Sequence, residues 1–269
     1  MRVIGKLSVG VEMGLLKLLS YTIFAAAVTS AHSQPTSCQH PAYHNYMVST
    51  SPLVIYLENF LTPEEQRHLQ VITQVCQFSY TIFSSVSDQA GVQGQRETRT
   101  SQSTNVERDE IVRCIEERAL LFQGFDTPRT HLEPLQLVKY GTGERYHFHT
   151  DWFTNAAQAS SVVGGNRQSS FFAYVSAENI TGGGTNFPMV KAPHDSRWCD
   201  FIDCDEPWEN GVTFRPIVGN AVFWSNLLDD GTGDQRTLHA GLPVTSGSKI
   251  GMNIWTRQGA LSEDIRGKD

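Results

Sequence analysis

The chain has 269 residues, with 28 acidic and 21 basic side chains, a formal charge of −7, 39% hydrophobic and 18% charged residues. That balance belongs to a folded protein and excludes wholesale disorder, and the length suits one large core or a core with a helical layer. The acidic excess argues against nucleic acid as a partner, which would need clustered Lys and Arg, and sets no limit on small substrates.

Arg2 and Lys6 open the chain, and the apolar run over residues 18–31 ends in small residues. It is short for a membrane span and reads as a secretory signal peptide over residues 1–31, cleaved after Ala31 or Ser33. An uncleaved signal anchor is the alternative, because residues 9–19 are also mostly apolar although Lys17 interrupts them; only then would the chain have a membrane partner. The reading places the protein in the endoplasmic reticulum lumen or outside the cell. Residues 32–51 form a polar arm, and residues 52–269 form the domain. After the signal come Cys38, Cys76, Cys114, Cys199 and Cys204. The secretory route permits disulfides. The odd count leaves one thiol free or paired between chains. Cys199 and Cys204 close a short loop and are the best pair, while Cys76 and Cys114 suit buried thiols. Asn179-Ile180-Thr181 is a glycosylation sequon, expected on a surface loop if used. Nothing in the sequence sets an oligomeric state.

Residues 53–60 (LVIYLENF) have strand composition. Thr62-Pro63-Glu64-Glu65 then opens a helix running to about Cys76, with Thr62 as cap, Pro63 at the first helical position and Glu65 closing a capping box. Residues 91–105, with Arg96 and Arg99, read as turns and short strands. A second helix is expected over residues 105–122, where Ile111, Ile115, Ala119 and Phe122 recur at helical spacing. Beyond Pro134 the texture is one of short strands: residues 135–140, 146–153, 170–176, two within 212–224, the LHAGLPV segment and 249–257. A polar loop occupies residues 157–169, and a Gly-rich turn, GGGTNFP, occupies residues 182–188. No β-α-β alternation appears, so a doubly wound fold is disfavoured, and a barrel or double-sheet jelly roll with helices on one face fits best.

His149 and Asp151 stand two residues apart, which on an extended strand puts both on one face. A histidine from a distant strand would complete a facial triad with open positions for cosubstrate and oxygen. His131, His147, His194 and His239 are the candidates, and His239 is favoured because several strands separate it from the pair. His147 shares the face, but a carboxylate suits an oxygen-activating metal better. Lys249, inward in an apolar strand, needs an anionic partner.

Several segments occur in order: the TPEE helix start, RTS at Arg99, LQLVKYGTGERYHFHTD, GGGTNFP, RPIVGNAVFW and LHAGLPVTSGSKIGMNIW. Together they make residues 53–257 resemble the catalytic domain of prolyl 4-hydroxylases, in the Fe(II)/2-oxoglutarate dioxygenase superfamily, and fungal members in particular. The resemblance implies an α+β, mainly β fold, a double-stranded β-helix (jelly roll) with N-terminal supporting helices. It implies Fe(II) on His149, Asp151 and His239. It also implies 2-oxoglutarate on Lys249 with hydroxyl help from Tyr140 and Thr185, O₂ as oxidant and ascorbate as reductant. Tyr146, Trp255, Asn253 and Arg167 are expected around the substrate. The implied reaction turns peptidyl proline into 4-hydroxyproline with release of succinate and CO₂. The alternatives are the same chemistry on a free amino acid or small natural product, or a jelly-roll binding module without catalysis. The chain departs from the family in one turn, where Gly184 replaces a frequent acidic residue.

Overall fold

The computed structural model describes Cys38 and residues 40–75, 79–80, 101–124 and 126–267. The readings of the signal segment, Cys76, Arg96 and Arg99 lie outside these residues. Among the described residues no helix is long and apolar enough to cross a membrane.

Fifteen elements are described: β1 (His44–Thr50), β2 (Leu53–Glu58), α1 (Pro63–Val75), β3 (Ser79–Tyr80), β4 (Gln102–Asn105), α2 (Glu110–Gln123), β5 (Gln136–Tyr140), β6 (Tyr146–His149), β7 (Arg167–Gly182), β8 (Thr185–Phe187), β9 (Val212–Phe214), β10 (Ala221–Ser225), β11 (His239–Gly241), β12 (Val244–Arg257) and α3 (Glu263–Arg266). They form three layers. A large sheet in the order β1-β2-β10-β7-β12-β5-β4-β3 lies between α1 and α2 on one face and a small sheet, β6-β11-β8-β9, on the other. This is the expected jelly roll with supporting helices.

Alternation along the strands divides the core. Phe171, Ala173, Phe223, Met252 and Ile254 face the helices, where they meet Leu69, Val112, Ile115 and Ala119. Phe172, Tyr174, Val222, Trp224, Val138 and Tyr140 face the small sheet. The first helix forms as its sequence dictates. Thr62 Oγ1 accepts from the Glu65 amide at 3.2 Å, and the Glu65 carboxylate accepts from the Thr62 amide at 2.8 Å, which is the capping box.

Five expectations are corrected. The arm is not all arm: His44–Thr50 pairs with β2, and Tyr46 and Val48 pack on the core. The second helix starts at Glu110 rather than near Asn105, because Asp109 caps it by accepting from the Val112 amide, while Asn105 ends β4. The polar residues 167–169 belong to β7, paired with β10 and β12. Cys114 is bonded to Cys38, and the expected Cys199–Cys204 bridge is present. The sequon is exposed, but at the far end of β7 rather than on a loop.

Candidate metal centre and cosubstrate chamber

β6 and β11 pair so that His149 lies directly across from His239. Their rings are 4.3 Å apart, and both are buried. Each ring is fixed from behind. His149 Nδ1 donates to the His147 carbonyl at 2.8 Å and His239 Nδ1 to the Thr237 carbonyl at 2.9 Å. These bonds set the tautomer and turn both Nε2 atoms toward Asp151. Asp151 joins them from a different element than expected. β6 ends at His149, and Asp151 lies in the turn beyond it, so strand alternation does not place it. Its position comes from hydrogen bonds: Oδ2 accepts from Ser170 Oγ at 2.6 Å and from Trp255 Nε1 at 2.9 Å. Oδ1 then lies 3.7 Å from His149 Nε2 and 3.9 Å from His239 Nε2.

One ligand atom from each of the three residues falls within a 4.8 Å span. Two imidazoles and a carboxylate converging on one point form the donor set of a non-haem iron site with open positions, so the residues present fit the ion. Burial pushes the Asp151 carboxyl up, but His239, His149, Arg167 and the Ser170 hydroxyl outweigh it and hold the group down at about 2. It is therefore ionised and ready to bind a cation. Of the other candidates, His147 and His194 are exposed, and His131 sits in a turn with Nδ1 3.2 Å from the Arg257 carbonyl. None of the three joins the cluster. Cys38, His40 and Cys114 also lie close together, but the two sulfurs are bonded to each other.

A narrow recess opens beside the triad, lined by Tyr140, Tyr146, Phe172, Thr185, Trp224, Gly241, Asn253 and Trp255 along with the ligands. Tyr146 stacks on His149 at 3.6 Å. Behind the recess lies Lys249, fully buried on β12, directly across from Tyr140 on β5. Its ammonium is 4.6 Å from the Tyr140 ring centre and 5.5 Å from that of Phe172, and it donates to the Gly183 carbonyl. Among the described residues no carboxylate forms an ion pair with it, and burial pushes its amine down to about 7. A fully buried cation without a counter-ion is a receptor for an anion. Thr185 Oγ1 accepts from Tyr174 at 2.8 Å, which leaves the Thr185 proton to donate.

Two glycines make this arrangement possible. Gly183, at φ +69°, turns its carbonyl to Lys249, and a Cβ there would meet Ile180 at 2.9 Å. A Cβ on Gly251 would strike the Phe172 ring at 2.2 Å. The unusual Gly184 has a local cause: a Cβ there would approach the Phe214 carbonyl to 2.9 Å and Thr213 Cγ2 to 2.6 Å. In this chain the turn has no room for the family's acidic residue.

Arg167 is placed differently from the other expected pocket residues. Glu133 grips its guanidinium with two bonds of 2.9 and 2.8 Å, and it lies flat over Trp255, 3.6 Å from the ring centre. It does not line the recess and instead backs the Trp255 that does. Sequence reasoning missed Ser170, Asn226, Phe172 and Trp224. The inward alternation of Ser170, Phe172 and Tyr174 was the available signal for two of them.

Comparison with known proteins agrees with this geometry. Residues 135–257 match the 2OG-Fe(II) oxygenase superfamily. The chain is 31% identical over 221 residues to prolyl 4-hydroxylase 1 of Arabidopsis thaliana, covering 80% of this chain and 72% of that one. It is 30% identical over 253 residues to prolyl 4-hydroxylase 2 of the same plant, covering 91% and 80%. In fold it is similar to the viral collagen prolyl hydroxylase of Paramecium Bursaria Chlorella virus-1 in its 2OG complex, with a TM-score of 0.53 at 21% identity over 76% of this chain and 95% of that one. The chain is therefore a 2-oxoglutarate- and Fe(II)-dependent dioxygenase and belongs to the prolyl 4-hydroxylase family.

Proposed function

We propose that this enzyme hydroxylates prolyl residues in peptides to 4-hydroxyproline, consuming O₂ and 2-oxoglutarate and releasing succinate and CO₂. The observation that carries the reading is the buried His149–Asp151–His239 cluster beside a buried lysine with no acidic partner among the described residues. Its kinship with prolyl 4-hydroxylases supports the peptidyl proline substrate. Bound Fe(II) and 2-oxoglutarate would supply the oxygen-activating redox chemistry. The chain supplies the rest. His149, Asp151 and His239 would hold the metal. Lys249 neutralises the distal carboxylate of the cosubstrate, and the Tyr140 and Thr185 hydroxyls orient it. Tyr146, Asn253 and Trp255 wall the side open to substrate, and Arg167 braces Trp255. Phe172 and Trp224 keep the chamber apolar and dry, which strengthens each charge contact within it.

We extend the proposal to an oxidising, secretory compartment. The two disulfides and the exposed sequon support it, since such bridges persist there and not in a reducing cytosol.

Two measurements test the reading. His239→Ala should abolish succinate formation from 2-oxoglutarate, and normal turnover in that variant would remove His239 from the ligand set. Proline-rich peptides and free proline analogues, each incubated with enzyme, Fe(II), 2-oxoglutarate and ascorbate, should show one added oxygen by mass spectrometry on the peptides. Product on the small compounds alone would assign the enzyme to the free-amino-acid class.

A further inference from the structure

The two oxygens of Asp151 have opposite surroundings. Oδ1 faces the two histidine Nε2 atoms, and Oδ2 is taken by Ser170 and Trp255. Ser170 and Trp255 are cross-strand partners on β7 and β12, and Trp224 on β10 flanks Ser170 on its other side. A small hydroxyl residue thus sits between two indoles at the metal end of the chamber. Its orientation is set by Asn226, whose Nδ2 donates to Ser170 Oγ at 2.8 Å. A serine hydroxyl that accepts there directs its single proton to Asp151. Ser170 and Asn226 are both fully buried. Asn226 Oδ1 finds no partner among the described residues, so the bond from its nitrogen to Ser170 is the side-chain contact that orients the amide. Reversed, it would draw the Ser170 proton away from Asp151.

The backbone of Asn226 reaches the other arm of the site. Its amide donates to the Gln168 carbonyl at 2.9 Å, and its carbonyl accepts from the Asp234 amide at 2.9 Å. The Asp234 carbonyl accepts from Thr237 Oγ1 at 2.7 Å, and the Thr237 carbonyl holds His239 Nδ1. One residue therefore connects to the carboxylate arm by its side chain and to the histidine arm by its main chain.

We propose that Asn226 and Ser170 are positioning residues that make Asp151 a one-oxygen ligand. Swinging Oδ2 onto the metal would break two hydrogen bonds and leave two buried donors unpaired. The neighbouring coordination positions consequently stay open for cosubstrate and oxygen. The inference rests on the metal reading of the triad.

The test uses full-length protein freed of metal, titrated anaerobically with Mn(II) and followed by the electron paramagnetic resonance of the free ion, with apo melting temperature recorded in parallel. Ser170→Ala and Asn226→Leu should each weaken Mn(II) binding by about 10–100-fold. The second stays close in side-chain volume and removes the donor that orients Ser170 without adding a charge. Ser170→Thr keeps the hydroxyl and should restore affinity close to wild type. Wild-type affinity in Ser170→Ala and Asn226→Leu would overturn the inference, as would a lowered melting temperature without a change in affinity. His239→Ala provides the loss-of-site control. A wild-type protein that takes up no Mn(II) would overturn the metal reading and this inference together.

Discussion

Burial pushes the Lys249 amine to about 7 from its ordinary 10.5, so near neutral pH the empty chamber holds ammonium and amine in comparable amounts. The unfolded chain keeps the ordinary value. Between pH 7 and 10.5 it therefore binds the extra proton, and Lys249 makes the apo-protein more stable as pH rises through that window. Below pH 7 both states are protonated, and the folded state bears the full cost of a buried charge. A dianionic cosubstrate reverses the preference, because it selects the ammonium. Above pH 7 its binding should take up a proton, and affinity should fall toward about tenfold per pH unit. Titration calorimetry of the Mn(II)-loaded enzyme at pH 8.5, in buffers of different ionisation heat, measures that uptake; identical heats would refute it. Lys249→Met should abolish cosubstrate binding while raising apo stability by something on the order of 1 kcal/mol. Lys249 was legible as a charge in a strand of strong apolar pattern, the His149–Asp151 pair by its spacing, and His239 by the strands that separate it from that pair. Ser170 and Asn226 were not, since a serine heading an apolar strand and an asparagine in a connecting loop carry neither periodicity nor motif.

A buried ion pair joins the two long helices. Arg118 on α2 meets Glu65 on α1 through two bonds of 2.8 and 2.6 Å and also donates to the Phe60 carbonyl at 2.9 Å, all of it buried. Arg118→Met should cost about 3–5 kcal/mol in urea unfolding, because it strands the Glu65 charge. Glu65→Gln added to Arg118→Met should recover most of that loss, since glutamine still closes the capping box. A single variant as stable as wild type would show that the pair contributes nothing. Thr62 and Glu65 were readable in the sequence because a capping box is local; their link to Arg118 was not, because it spans 53 residues. The same limit explains β1 and the start of β7. HNYMVST and RQS are too polar to announce strands, and they become strands because β2, β10 and β12 offer them hydrogen-bonding edges. Asp151 shows the converse: strand spacing pointed to a residue that joins the cluster from outside the strand, since its placement comes from Ser170 and Trp255 rather than from β6.

Across the whole molecule the two sheets are unequal. β7 and β12 run for 16 and 14 residues in the middle of the large sheet. β6 has 4 residues, and β8, β9 and β11 have 3 each. Layer architecture was legible from the many short strands and Gly/Pro turns, whereas strand order was not, because it depends on partners far apart in sequence. The site as a whole straddles this inequality. Ser170, Trp255 and Lys249 belong to the long strands, while His149 and His239 face each other across the short ones. Local opening follows such differences in packing. Hydrogen exchange should find β7 and β12 slowest, with β6 and β11 faster in the metal-free protein and slowed selectively by Mn(II). Uniform exchange in both sheets, unaltered by Mn(II), would contradict this. The thin sheet also determines how the enzyme fails when heated. Two histidines on three- and four-residue strands should part before the broad slab behind them melts, so catalysis would be lost while circular dichroism still reports a native protein. A preparation inactivated in this way would be revived by returning iron rather than by refolding the chain.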